Sequence, residues 1–205
     1  MTDDYWAKLH AMYSQTEWAS KPSMFAETVE AHLPPSGTLL DLGAGLGQDS
    51  AYFSDLGYAV TSTDLNTDKL AILASNKFQV RAVDLREKLP FEDVSYDVVY
   101  AHLSLHYFNL VTTCQIFDEI HRVLKPGGFL AFFTNSTDDP EYNSGMLIEP
   151  DYFDVDGTAK RYLNVESALQ FAHNFTPLSA DNKGETYKDS AKDIHNLIRF
   201  IGTKI

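Results

Sequence analysis

The chain of 205 residues is poor in cysteine, in tryptophan and in positive charge. Its one cysteine, Cys114, excludes an internal disulfide and suits a reducing compartment. Lys and Arg number 16 against 29 Asp and Glu, a net charge of −13, and such a surface repels nucleic-acid phosphates. No apolar run approaches the ~20 residues that cross a bilayer, and Met1-Thr2-Asp3-Asp4 is acidic where a secretory leader is basic. A cytoplasmic protein that touches neither nucleic acid nor membrane is the expectation. Internal repeats, low-complexity stretches and linkers are also missing, so residues 1–205 read as one domain. What the chain has in quantity is hydrophobic residues, 44% of the total, enough at this length for a sizeable core.

The densest signal is Leu39-Leu40-Asp41-Leu42-Gly43-Ala44-Gly45-Leu46-Gly47-Gln48-Asp49-Ser50, an apolar run, three glycines at alternate positions and the opening of a helix. A buried strand ending in such a loop brings bare backbone N–H groups against a ligand, and glycine supplies both the space and the positive φ. Without a ligand the same residues make a tight strand-to-helix turn. A dinucleotide fingerprint places its third glycine three residues after the second. Here that place holds Gln48 and the glycine comes one residue early, at Gly47, which disfavours an NAD-dependent oxidoreductase.

Further along, Tyr58–Thr63 reads as a second strand that ends in Asp64, about twenty residues past the loop, where an acid accepts hydrogen bonds from ribose hydroxyls. The other role for Asp64 is a helix N-cap. Asn66 and Thr67 also fill that role, which leaves Asp64 free. The strand Phe78–Val83 ends in Asp84-Leu85, a second acid on a neighbouring strand tip or a simple loop aspartate. A fourth strand emerges at Ala101-His102, with His106 close behind. A histidine titrating near neutral pH suits taking or holding a substrate proton, and packing or capping is the structural alternative. Cys114 sits in a helical pattern and reads as a core thiol.

Residues 1–36 form a helical cap, with Tyr5, Trp6, Leu9, Met12 and Tyr13 at helical spacing and Trp18 either packing on the sheet or covering the ligand. Phe129–Thr134 is a fifth, apolar strand. Residues 135–164 show little periodicity and read as an irregular, aromatic and acidic lid on the substrate side. The helix Val165–His173 and the strands Phe175–Tyr187 and Leu197–Ile205 complete the order.

The motif D-L-G-A-G-L-G at 41–47, with Asp64, Asp84, L-P-F-E-D-V-S-Y-D-V-V-Y at 89–100 and R-V-L-K-P-G-G-F-L at 122–130, resembles the class I S-adenosylmethionine-dependent methyltransferases of small molecules, the tellurite-resistance type among them. The resemblance implies an α/β fold, a doubly wound, mostly parallel seven-stranded sheet with helices on both faces. It implies S-adenosylmethionine as cofactor, S-adenosylhomocysteine as product and a small-molecule methyl acceptor. Asp41 and the backbone of Gly43, Ala44 and Gly45 would hold the methionine end, Asp64 with Leu65 the ribose and adenine face, and Asp84 with Leu85 the adenine edge. Ala101 and His102 would floor the methyl site, His106 would meet the acceptor, and Trp18 would cover the cofactor. A metal-dependent variant wants a carboxylate at the end of the fourth strand; none stands there, so no metal is expected. The aromatic, acidic lid suits an organic cation, thiol or amine. A cofactor-binding regulator without turnover stands as the alternative of another class, and the identity of the acceptor and the oligomeric state stay open.

Overall fold

The computed structural model describes residues 3–74, 77–187 and 196–205. Met1 and Thr2, the Tyr5 side chain and most of the connection between the last two strands lie outside the described residues.

Among the described residues, ten strands and six α-helices follow one another. They are α1 (Asp3–Tyr13), α2 (Met24–Glu30), β1 (Thr38–Leu42), α3 (Gln48–Asp55), β2 (Ala59–Asp64), α4 (Asp68–Ala74), β3 (Gln79–Ala82) and β4 (Tyr96–His102), then α5 (Leu110–Val123), β5 (Leu124–Thr134), β6 (Met146–Glu149), β7 (Tyr152–Val155), β8 (Thr158–Arg161), α6 (Val165–Phe171), β9 (Phe175–Gly184) and β10 (Leu197–Lys204). Seven strands form one sheet in the order β3-β2-β1-β4-β5-β10-β9. The first five run parallel, and β10 runs antiparallel to both β5 and β9. This is the doubly wound, mostly parallel sheet that the sequence implies.

The central strands are apolar on both faces, which is why helices cover both. Leu40, Leu42, Val99, Ala101 and Phe132 pack with Ile116 and Ile120 of α5 on one side. Leu39, Val98, Tyr100 and Phe133 pack with Phe25 of α2 and Phe53 of α3 on the other. Chain order reverses between β1 and β4, and in open sheets of this kind the crevice at that switch point is where ligands bind.

Three expectations are corrected. Residues 135–164 are not irregular, because β6, β7 and β8 form a three-stranded antiparallel sheet of their own. Strands of four residues are too short to show a period. The wall is fastened to the switch point: the Tyr152 hydroxyl donates to the Tyr107 carbonyl at 3.0 Å, and the Arg161 guanidinium donates to the Phe108 carbonyl at 3.1 Å and pairs with Glu149. Cys114 is exposed rather than a core thiol, because the buried face of α5 carries Thr113, Ile116, Phe117, Ile120 and Val123. The fifth strand, expected over Phe129–Thr134, begins earlier, at Leu124, with Lys125–Gly128 inside it at an irregularity that sets Tyr96 opposite Leu124 and Val98 opposite Phe129.

Candidate active site

A cavity of about 730 Å³ opens at the tips of the parallel strands. The glycine loop, Asp64-Leu65, Asp84-Leu85 and His102-Leu103-Ser104 line it from the sheet side, and α1 with Trp18 roofs it. The loop takes this path because its glycines adopt φ of +73°, +57° and +84° at Gly43, Gly45 and Gly47. A Cβ on Gly43 would lie 2.4 Å from the Ser104 Cβ, whose hydroxyl donates to the Leu42 carbonyl at 2.5 Å, so β1 and β4 meet only over a bare backbone. At Gly47 a Cβ would lie 2.5 Å from Leu70 Cδ1 of α4. At Gly45 the nearest atom is His10 Nε2, at 3.6 Å from that position.

The expected ligand groups are mostly brought together. Gly43, Ala44, Gly45, Asp64, Leu65, Asp84, Leu85, Trp18, His102 and His106 all line the cavity. Asp41 and Ala101 do not, and both are corrected. Strand alternation puts Asp41 on the face of β1 that carries Leu39, beneath α3, where it accepts from the Ser50 hydroxyl at 2.5 Å. It thus braces the loop from behind. Ala101 is fully buried below His102 and Leu103.

Asp64 is not free, contrary to expectation: one carboxylate oxygen accepts the Gly45 N–H at 2.9 Å and the other the Asn66 N–H at 3.0 Å. Each oxygen keeps a second lone-pair direction for a ligand hydroxyl. Asp84 is gripped by the Arg86 guanidinium at 2.9 and 3.0 Å through Nε, a bond that holds its carboxyl below the ordinary range. The His102 ring stacks on Phe133 at 5.1 Å, and burial lowers its pKa. His106 is 4% exposed, and its Nδ1 has no hydrogen-bond partner among the described residues. Burial first, then the charges of Lys160 and His102, push it down to about 3. At neutral pH it is therefore a neutral hydrogen-bonding group and a weak proton acceptor, which corrects its expected role as a base. Trp18 sits 5.4 Å from the Tyr13 ring in the roof.

Sequence reasoning missed His10, Arg86 and the Lys160–Glu141 ion pair, all on the cavity wall. Only Arg86 carried a local signal, two residues from its acid partner. Among the described residues no cluster of His, Cys, Asp and Glu is arranged to hold a metal ion, and no helix is long and apolar enough to cross a membrane.

Burial raises the Asp41 carboxyl from 3.8 to about 8, against the opposing bond from Ser50. Between those values the folded chain holds a proton that the unfolded chain has released, so this group makes stability fall as pH rises. Asp41→Asn keeps an oxygen for Ser50 but cannot ionise. Its melting temperature relative to the unaltered chain is expected to rise more at pH 8 than at pH 5. Parallel melting profiles across that range would exonerate Asp41.

Residues 40–132 match a family model described as Methyltransferase domain. The putative methyltransferase YqeM of Bacillus subtilis (strain 168) is 32% identical over 135 residues, 62% of this chain and 51% of that protein. The chain spans about half the length of the curated relatives it matches. Among solved structures, an S-adenosylmethionine-dependent methyltransferase from Methanosarcina mazei aligns with a TM-score of 0.73 at 20% identity, over 87% of this chain and 97% of that one. The 1,6-didemethyltoxoflavin-N1-methyltransferase of Burkholderia thailandensis, solved with 1,6-didemethyltoxoflavin and S-adenosylhomocysteine bound, aligns at 0.70 with 22% identity over 98% and 89%. Over residues 40–132, from β1 to β5, the chain is similar in sequence to a methyltransferase domain, and its fold is that of the S-adenosylmethionine-dependent methyltransferases.

Proposed function

We propose that the chain transfers the sulfonium methyl group of S-adenosylmethionine to a small-molecule acceptor and releases S-adenosylhomocysteine. The observation that supports this most is the single cavity that runs from two acids on neighbouring strand tips, Asp64 and Asp84, past a bare glycine loop to His102 and His106. When bound, the cofactor supplies an electrophilic methyl on a positively charged sulfur. The protein's part is then alignment and exclusion of water.

The open lone pairs of Asp64 take the ribose hydroxyls. Asp84, kept ionised by Arg86, takes the adenine amino edge with the Leu85 backbone. The backbone of Gly43, Ala44 and Gly45 lies along the methionine tail, and Asp41 steadies that loop through Ser50. At the far end His102 and His106 meet the acceptor. Since His106 is neutral and a weak proton acceptor at neutral pH, it orients an acceptor that brings its own lone pair. The residues 1–36 serve as a cap and 135–164 as the acceptor-side wall of one domain. The wall residues Asp139, Glu141 and Tyr152, with Tyr107 from the turn after β4, suit a small organic acceptor. A net charge of −13 favours such a guest in the cytoplasm over nucleic acid.

The test compares melting temperatures with S-adenosylhomocysteine and with NAD. A ligand at a hundred times its dissociation constant adds about 2.7 kcal/mol, which for a chain of this size is a rise of roughly 5–10 °C. S-adenosylhomocysteine is expected to give that rise and NAD none. The opposite pattern sinks the proposal. Binding without release of S-adenosylhomocysteine across thiols, amines, acids and oxyanions would instead favour a regulator.

A further inference from the structure

We infer, on the methyltransferase reading above, that His10 receives the carboxylate of the cofactor's methionine tail, so that α1 docks on the loop and grips the tail in one event. The ring is 5% exposed, lines the cavity and stands over the middle of the glycine loop, its Nε2 3.6 Å from where a Gly45 Cβ would lie. Its Nδ1 is buried and has no hydrogen-bond partner among the described residues. A buried nitrogen without a partner is uncommon in folded proteins and is relieved by a ligand that supplies one.

The chemistry of the loop says which part of the ligand that is. The tail carboxylate is the one anion of S-adenosylmethionine. The loop offers it backbone N–H groups, but the Gly45 N–H is already given to Asp64, and the Asp64 charge repels an anion laid beside it. The cations on the cavity wall are engaged elsewhere, Arg86 with Asp84, Lys160 with Glu141 and Lys21 over the Tyr187 ring. His10 therefore supplies a donor where the loop is short of one. Neutral or protonated, an imidazole carries an N–H. The Trp6 ring, with its centroid 6.1 Å from that of His10, shields the contact from the α1 side.

Calorimetry on the full chain with two probes tests this. S-adenosylhomocysteine carries the tail, and 5′-methylthioadenosine carries the same nucleoside without it. His10→Phe keeps a ring but removes both nitrogens, and is expected to weaken S-adenosylhomocysteine about tenfold, the loss of one bond to a charged group, while 5′-methylthioadenosine changes less than twofold. His10→Gln restores a donor and should recover part of the loss. Without ligand, the melting temperature of His10→Phe is expected to stay level or rise, since a merely structural histidine would lower it. An equal loss for both probes would place the ring on the ribose or reduce it to packing, and no loss for S-adenosylhomocysteine would remove it from the site. Either result overturns the assignment. If the unaltered chain binds neither probe, the methyltransferase reading falls first and this one with it.

Discussion

Asp64→Ala is expected to raise the dissociation constant for S-adenosylhomocysteine about a hundredfold in a chain that still folds. The carboxylate sits 9% exposed at the tip of β2, on the cavity wall, with lone pairs left over for two ribose hydroxyls. A hydrogen bond to a charged group contributes roughly 1.5–3 kcal/mol, and two of them, less than additive, reach the ~2.7 kcal/mol of a hundredfold change. The same oxygens hold the Gly45 and Asn66 N–H groups, so alanine also leaves two loop donors without a protein acceptor. A loss of about 1 kcal/mol in stability follows, or roughly 2–4 °C in melting temperature at this size. Calorimetry that finds the same affinity in the variant would strike Asp64 from the site.

The largest loss of stability is expected at a different acid. Asp49, in the first turn of α3, is 6% exposed and accepts three bonds, from the Ser23 N–H at 2.6 Å, the Ser23 hydroxyl at 2.8 Å and the Tyr100 hydroxyl at 2.7 Å. Ser23 is also the N-cap of α2, its hydroxyl accepting the Ala26 N–H at 3.0 Å, and Tyr100 is fully buried on β4. One carboxylate thus ties α2, α3 and the sheet together just behind the glycine loop. Burial and the Asp49 charge push the Tyr100 pKa well up, so its hydroxyl keeps the proton that it donates. Asp49→Ala leaves these neutral donors in the interior without their acceptor, each costing roughly 1–3 kcal/mol. Less than additively, the total is about 3–5 kcal/mol, or roughly 6–20 °C in melting temperature. Denaturation of the variant within 1 kcal/mol of the unaltered chain would show that the network carries little.

Much of the site was readable along the chain because its signals are local. The spacing of Gly43, Gly45 and Gly47 describes a backbone path, and φ between +57° and +84° at those residues is what glycine permits. The acids Asp64 and Asp84 each close or follow an apolar strand run, and a parallel sheet places such ends side by side. The misreadings share a cause as well. Asp41 lies within the loop motif, yet the alternation of β1 turns its carboxylate away from the cavity and under Ser50. His106 looks like a base by residue type, but burial beside Lys160 and His102 takes away its affinity for a proton. The wall of β6, β7 and β8 escaped notice because strands of four residues leave no period to count.

By itself the sequence determined the order of strands and helices that build the seven-stranded sheet, the bare turn after β1 and the acids at the strand tips. Periodicity, glycine conformation and turn chemistry act over a few neighbouring residues and so are written in them. The tertiary structure alone decided which of these groups face the cavity, that His10 stands over Gly45, that Lys160 pairs with Glu141 and that Asp49 receives Ser23 and Tyr100. Those partners are far apart in the chain, and their protonation and hydrogen bonding depend on burial, which exists only once both faces of the sheet are covered.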